Sequence, residues 1–456
     1  MEKQHTKISK WKNYTITLRL LIVGLLTAIL LIPLSFVKSL IHERMNRQQE
    51  VVDEISKKWG KEVLLYGPIL KVPYKSTHKK EVYNPKTGIK QKELFNSIEY
   101  AYFFPNKLTI KSIINPQEKK RGIYKTAVYN SNISINGSFT KPDFSEKDIP
   151  SKNILWQKAK LIIKTTNLKG VNSLVEVTLN KNNYDFESKY EHKITNTYNT
   201  AIELHKLESN FIKKEDLPIN KNVSFNLDIS MNGSKQIRFI PIGKETNVQI
   251  TSDWKTANFL GEFLPHNPNN ISDEGFNAKW KILDINRPFS QKSFNGIPDL
   301  TNYAFGVNFM IPVDEYQKSE RSVKYGFLII GLTFLIFFLI QTLSNIKIHP
   351  FQYLMIGVAL IMFYTLLIAI SEHSSYLKAY LIAGTSVVVL ISLYSKSILK
   401  NIKFPIFIGS SLTVLYTFIF VIIQLENFAL LVGSIGLFII LASVMYASRK
   451  IDWQNE

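Results

Sequence analysis

The sequence lacks cysteine altogether in 456 residues. That removes disulfide staples, thiolate zinc sites and thiol nucleophiles together. Acidic residues are scarce outside the middle of the chain. Between Ile41 and Glu320 there are 41 Lys and Arg against 31 Asp and Glu, a net of +10 out of +20, and the other +10 sits in little more than a third of the chain. There the basic residues flank apolar runs, a pattern that belongs to membrane topology. The excess charge is therefore a poor argument for nucleic acid, and none is expected as a partner. Catalytic signatures are missing too. His42-Glu43 is followed by Arg44 and Met45, which breaks H-E-x-x-H, and Gly433-Ser434-Ile435-Gly436 has the wrong spacing for a nucleophile elbow. No Walker loop or G-x-G-x-x-G follows a strand-like run, and no regular repeat of about 20–50 residues is present. The eight histidines have no spaced partners suited to a metal. No catalytic residue, cofactor or metal is expected.

What the chain does have is six apolar runs near the length needed to cross roughly 30 Å of hydrocarbon, about 20 residues each. The first is "LRLLIVGLLTAILLIPLSFVK", Leu18–Lys38, read as an uncleaved anchor because no clear small-x-small site follows it. Five more lie at Gly326–Ser344, Phe351–Ser371, Tyr376–Tyr394, Phe404–Gln424 and Phe428–Ser448. Their interiors hold hydroxyls, such as Thr333, Thr385, Ser386, Ser410 and Thr413, and no acid or base. A proton-coupled transporter needs buried charge or broken helices at that depth, so the spans read as an anchoring bundle.

Basic residues mark the cytoplasmic side. Lys3, Lys7, Lys10, Lys12 and Arg19 precede the first span, Lys347 follows the second, Lys396, Lys400 and Lys403 follow the fourth, and Arg449 and Lys450 follow the sixth. Both termini are thus expected inside, with the segment after the first span outside. Lys38, Arg321 and Lys324 break the pattern only beside a long domain, where the rule is weak. In this frame Glu372 and His373, between the third and fourth spans, fall in an outer turn at the bilayer surface, and Glu426 falls in the equivalent turn between the last two. An ordinary polar turn is the preferred reading of all three. They remain the candidate functional residues, since both turns face the side of the large domain.

Beyond the first span, Ile41, Met45, Val52, Ile55 and Trp59 form one stripe of a helix that Gly60 ends. Its role is packing against its own domain rather than a dimerising stalk. The pattern then turns to period two. "EVLLYGPILKVPYK" reads as two short strands about Gly67-Pro68, and Asn136-Gly137 and Asn232-Gly233 read as hairpin turns. "PHNPNNISDEGFNAKW", Pro265–Trp280, reads as a surface loop rather than a calcium or catalytic loop, because the spacing of Asp273 and Glu274 is not that of an EF-hand.

Several stretches together are similar to the CreD family of bacterial inner-membrane proteins: "LLIPLSFVKSLIHERMNRQQEVVDEISKKWG", "GPILKVPY", "RGIYKTAVY", "FIPIGKET", "VDEYQKSERSVKYGFLII" and above all "IHPFQYLMIGVALIMFYTLLIAISEH". The resemblance implies a Gram-negative inner membrane, a periplasmic domain and a place in an envelope-stress response under a two-component system. It brings no catalytic residues and no cofactor.

The expected architecture is a membrane protein of six transmembrane α-helices with a large, mainly antiparallel-β extracytoplasmic domain inserted between helices 1 and 2. Residues 1–17 form a cytoplasmic tail and 18–38 the first span. Residues 39–322 form the periplasmic β-rich domain with an amphipathic helix at its start, 323–448 a five-helix bundle, and 449–456 a second cytoplasmic tail. The expected role is non-enzymatic envelope integrity, with an envelope protein, peptidoglycan or a lipid as candidate partner beside the bilayer itself. The alternative is a membrane enzyme or transporter acting on a lipid-linked envelope intermediate near Glu372, His373 and Glu426.

Overall fold

The computed structural model describes residues 16–84, 89–189, 202–294, 296–309, 315–344, 346–399, 401–425 and 428–449, with backbone alone for 80–84 and 89–93. Two compact units emerge: Met1–Gln49 with Val313–Glu456, and Glu50–Pro312.

The first unit is helical. Its elements are α1 (Ile16–Trp59, which runs on into the second unit), α2 (Glu315–Lys324), α3 (Gly326–Leu343), α4 (Pro350–Ser371), α5 (Tyr376–Ile398), α6 (Lys403–Gln424) and α7 (Ala429–Ser448). All but α2 are long and apolar enough to cross a membrane. At 1.5 Å per residue α1 extends about 66 Å, over twice the hydrocarbon thickness of roughly 30 Å. Its buried side carries Val23, Leu30, Leu34, Val37 and Ile41, at steps of 7, 4, 3 and 4. Leu30 lies so close over Gly357 of α4 that a Cβ there would stand 2.1 Å from its Cδ1. Such close approach replaces the hydrophobic effect where the solvent is itself apolar. The mid-span hydroxyls return to their own helices: Thr333 donates to the Ile329 carbonyl (2.7 Å), Thr385 to Leu381 (2.6 Å) and Ser386 to Ile382 (2.8 Å). Among the described residues α7 buries no side chain.

The second unit holds sixteen strands among the described residues. They are β1 (Val63–Asn84), β2 (Ile89–Phe103), β3 (Lys107–Arg121), β4 (Tyr124–Phe139), β5 (Lys160–Thr165), β6 (Glu176–Leu179), β7 (Asn182–Lys189), β8 (His205–Ser209), β9 (Val223–Ser234), β10 (Gln236–Phe239), β11 (Glu245–Ser252), β12 (Ala257–Gly261), β13 (Ile271–Ser272), β14 (Gly275–Leu283), β15 (Lys292–Phe294) and β16 (Phe305–Phe309). They join in one path, β12-β16-β10-β1-β5-β8-β7-β6-β9-β4-β3-β11-β14-β13, with β2 and β15 on a branch from β1. Pairing is antiparallel except for β1 with β10 and β3 with β11. The path folds into two halves through β7, whose first half pairs with β6 and whose second half pairs with β8. Strand β9 shows why one face is core: Val223, Phe225, Leu227, Ile229 and Met231 are buried while Ser224, Asn226 and Asp228 are exposed.

Two strand expectations are corrected. The stretch about Gly67-Pro68 is a single strand, β1, that absorbs the interruption as a bulge: its register against β5 shifts between Tyr66 and Ile69. Nor do the two Asn-Gly pairs turn the chain. Both lie inside strands, Asn136-Gly137 in β4 and Asn232-Gly233 in β9. The glycines are there for space. A Cβ on Gly137 would meet the Phe225 ring at 2.4 Å, and one on Gly233 would meet the Tyr129 ring at 2.4 Å, so each glycine is roofed by an aromatic from the neighbouring strand.

The last turns of α1 dock on this sheet, as the stripe predicted. Trp59 Nε1 donates to the Tyr129 carbonyl at 3.2 Å. Lys235 bonds Asp53 at 2.8 Å, and Arg121 pairs with Glu54.

Candidate functional site

In the helical unit, Glu372 follows the last turn of α4, its N–H donating to the Ile368 carbonyl at 3.1 Å. That places its carboxylate 3.4 Å from Arg44 Nε of α1 and 3.3 Å from the Tyr316 hydroxyl of α2, with the side chain only 14% exposed. Beside it Glu315 accepts from the Tyr376 N–H at 3.0 Å. This satisfies one of the orphan donors at the start of α5 and sets a negative charge at the positive end of its dipole, a duty that Ser375 leaves unfilled. The Ser322 and Tyr376 hydroxyls lie 2.6 Å apart, and Glu320 pairs with Lys324 at 3.3 Å. The arrangement is a charge-compensated clamp joining α1, α2, α4 and α5.

His373 does not share it. It is exposed and has no side-chain hydrogen bond or ion pair among the described residues. Adjacent in sequence, Glu372 and His373 do not form a dyad. Glu426 lies outside the described residues. Sequence reasoning missed Arg44, Tyr316 and Glu315, whose signal was weak: charge beside the apolar runs on the side where basic residues are not expected.

Between α3, α6 and α7 runs a crevice of about 1110 Å³. Leucine, isoleucine, valine and phenylalanine line it with a few serines, and among the described residues Lys403 is its one charged lining residue. Walls of this chemistry suit hydrocarbon, not an ion path.

The sheet-built unit carries a different pocket, about 340 Å³, at the junction of α1, β1, β8 and the β9–β10 bend. Lys235, in the left-handed region at φ +63°, makes that bend. Three buried donors on the pocket wall have no hydrogen-bond partner among the described residues: the hydroxyls of Ser56 and Ser234, and Arg238 Nε. Both serines are more than nine-tenths buried. An unmet buried donor costs about 1–3 kcal/mol, and native structures rarely keep one without reason. The charged wall is mixed. Lys235 is held by Asp53 and Arg238 stands 3.9 Å from Glu62, while the exposed Lys57 and Lys61 line the pocket together with Glu203 and His205. The pocket is thus an unsatisfied, mixed-charge recess of the size of a small-ligand site. No residue of it was singled out from sequence, because its members are spread over 180 residues.

The family model described as "Inner membrane protein CreD" matches residues 15–454. A similar protein, inner membrane protein CreD of Escherichia coli (strain K12), is 28% identical over 429 residues, covering 93% of this chain and 91% of that protein. Six membrane-crossing helices, a sheet-built domain between the first two, and a family match over nearly the whole length agree: the chain belongs to the CreD family of inner membrane proteins.

Proposed function

We propose that this protein serves envelope integrity by binding, not by catalysis, and that its β-rich domain holds an envelope partner on the outer side of the inner membrane. The observation that carries this reading is the polar pocket of the sheet-built unit, with three buried donors left for a ligand to meet. The basic flanks of the spans support residues 1–17 and 449–456 as cytoplasmic tails, 18–38 as the first span, 39–322 as the periplasmic segment and 323–448 as the remaining five-helix bundle. A peptidoglycan fragment, an envelope protein or a lipid headgroup offers acceptors for these three donors. Glu372 acts as a structural clamp in this reading, and the turns holding His373 and Glu426 are docking edges. A photo-crosslinker at Lys61, on the rim, tests it in intact cells. The expected result is a discrete envelope adduct that disappears in Ser234→Ala and Arg238→Gln. Absence of any adduct, or one indifferent to both substitutions, defeats the reading.

The rival, an enzyme or transporter for a lipid-linked intermediate, requires chemistry at Glu372, His373 and Glu426. Substituting them by Gln, Asn and Gln at unchanged expression should leave the envelope phenotype intact; complete loss favours the rival.

A further inference from the structure

At one end of the helical unit, α1, α3 and α4 surround a pocket of about 380 Å³. Arg19 from α1 and Lys347 and His349 from the chain leading into α4 line it, and among the described residues no acid does. Arg19 is half-buried, and neither it nor Lys347 has a side-chain hydrogen bond or ion pair among the described residues. His349 caps α4, its Nδ1 accepting from the Phe351 N–H at 3.2 Å. Below the cations, Gln341 is 6% exposed and accepts from the Tyr353 hydroxyl at 2.8 Å through its carbonyl oxygen, so its amide N–H groups stay available to a ligand. Ile22, Val23 and Ile348 make the remaining wall apolar.

Arg19 and Lys347, gathered without a counter-charge among the described residues, repel each other unless an anion joins them. The position selects which anion. Arg19 stands at the start of the first apolar run, and Lys347 and His349 immediately precede the third. The pocket therefore opens in the plane where hydrocarbon meets headgroup, with cations toward water and apolar wall toward the tails. We infer that it is a binding site for the phosphate of an anionic phospholipid from the adjacent leaflet. Arg19 and Lys347 supply the charge, Gln341 supplies donors, and the acyl chains lie along Ile22 and Val23. Basic pockets between transmembrane helices bind headgroups by this arrangement. The inference rests on the helical unit alone and is independent of what the β-rich domain holds.

The test uses the full chain in nanodiscs of equimolar phosphatidylcholine and phosphatidylglycerol, with native mass spectrometry reading the lipids that stay bound. Wild type is expected to retain phosphatidylglycerol in preference to phosphatidylcholine. Each basic residue near an anionic surface is worth about fivefold, so Arg19→Gln with Lys347→Gln should lower the preference by about 25-fold, while Lys396→Gln, a basic residue outside the pocket, should leave it nearly unchanged. No preference in wild type overturns the inference whether or not the variants fold. So does an equal loss in Lys396→Gln, which would mean general surface charge. Occupancy by inorganic phosphate with no retained lipid would show an anion site that is not a lipid site, and also overturns it.

Discussion

At the scale of single residues, the sheet-built unit is governed by buried charge. Glu208 of β8 is 7% exposed and lies among Lys71 at 2.9 Å, Lys206 at 3.2 Å and Lys160 at 3.5 Å. Burial alone would push its carboxyl up, yet the hydrogen bond and charge of Lys71, with those of Lys206, hold it down at about 2. Depressed below its unfolded value near 4.3, it adds stability that is fully present above about pH 4.3 and is lost as pH falls toward 2. Glu208→Gln should cost on the order of 2–3 kcal/mol at neutral pH, with the gap to wild type closing in acid; unfolding curves across pH check both. Gly233→Ala makes a second case. The Tyr129 ring that its Cβ would strike is fully buried and tied by its hydroxyl to the Gln236 carbonyl at 2.8 Å. It cannot yield, so a loss of about 1–3 kcal/mol is expected, measured by denaturant unfolding. Neither effect was legible in the sequence. Glu208 looks like any surface acid until Lys71, 137 residues away, is seen beside it. The Asn-Gly pairs look like turns until the aromatic on the next strand is known.

Elements divide according to how local their signal is. The spans were legible because a bilayer imposes length and apolarity on each one separately, and the helix stripe ending at Gly60 because 3.6 periodicity is a local property. Strand β1 was cut in two because a bulge resembles a turn in sequence. The short helix α2, with its serines buried against the bundle, was invisible as a fastener, since only its cross-chain partners give it that role. Its importance is measurable. Glu315→Ala removes the acceptor at the start of α5 and should cost about 1 kcal/mol, read as a lower melting temperature of the chain in nanodiscs. Tyr316→Phe and Glu372→Gln touch one hydrogen bond between α2 and α4, so a double-mutant cycle should show coupling of about 0.5 kcal/mol or more. Additive losses would mean that Arg44 alone holds Glu372.

For the whole molecule, the proposed orientation rests on the short basic loops, and reporter fusions test it. An alkaline phosphatase fused at Asn220 should be active and one fused at Lys400 inactive; the reverse pattern would invert every side assignment. The class of the fold could be read from the sequence, but the order of its strands could not. Alternation of apolar residues says which face of a strand is inside and nothing about its neighbour.

That order has a consequence for how the domain comes into being. The parallel neighbours of β1 and β3 are β10 and β11, whose paired residues (Val63 with Ile237, Lys107 with Glu245) lie 174 and 138 residues further along. While the chain is being made, its earliest strands must wait, half-dressed, for partners not yet delivered. Assembly this dependent on distant pairing is slow, and the waiting edges are open to whatever adheres to bare strands. A nascent domain of this kind is a natural client for a chaperone, and the mature fold should appear only after β16, the partner of β10 and β12, has emerged.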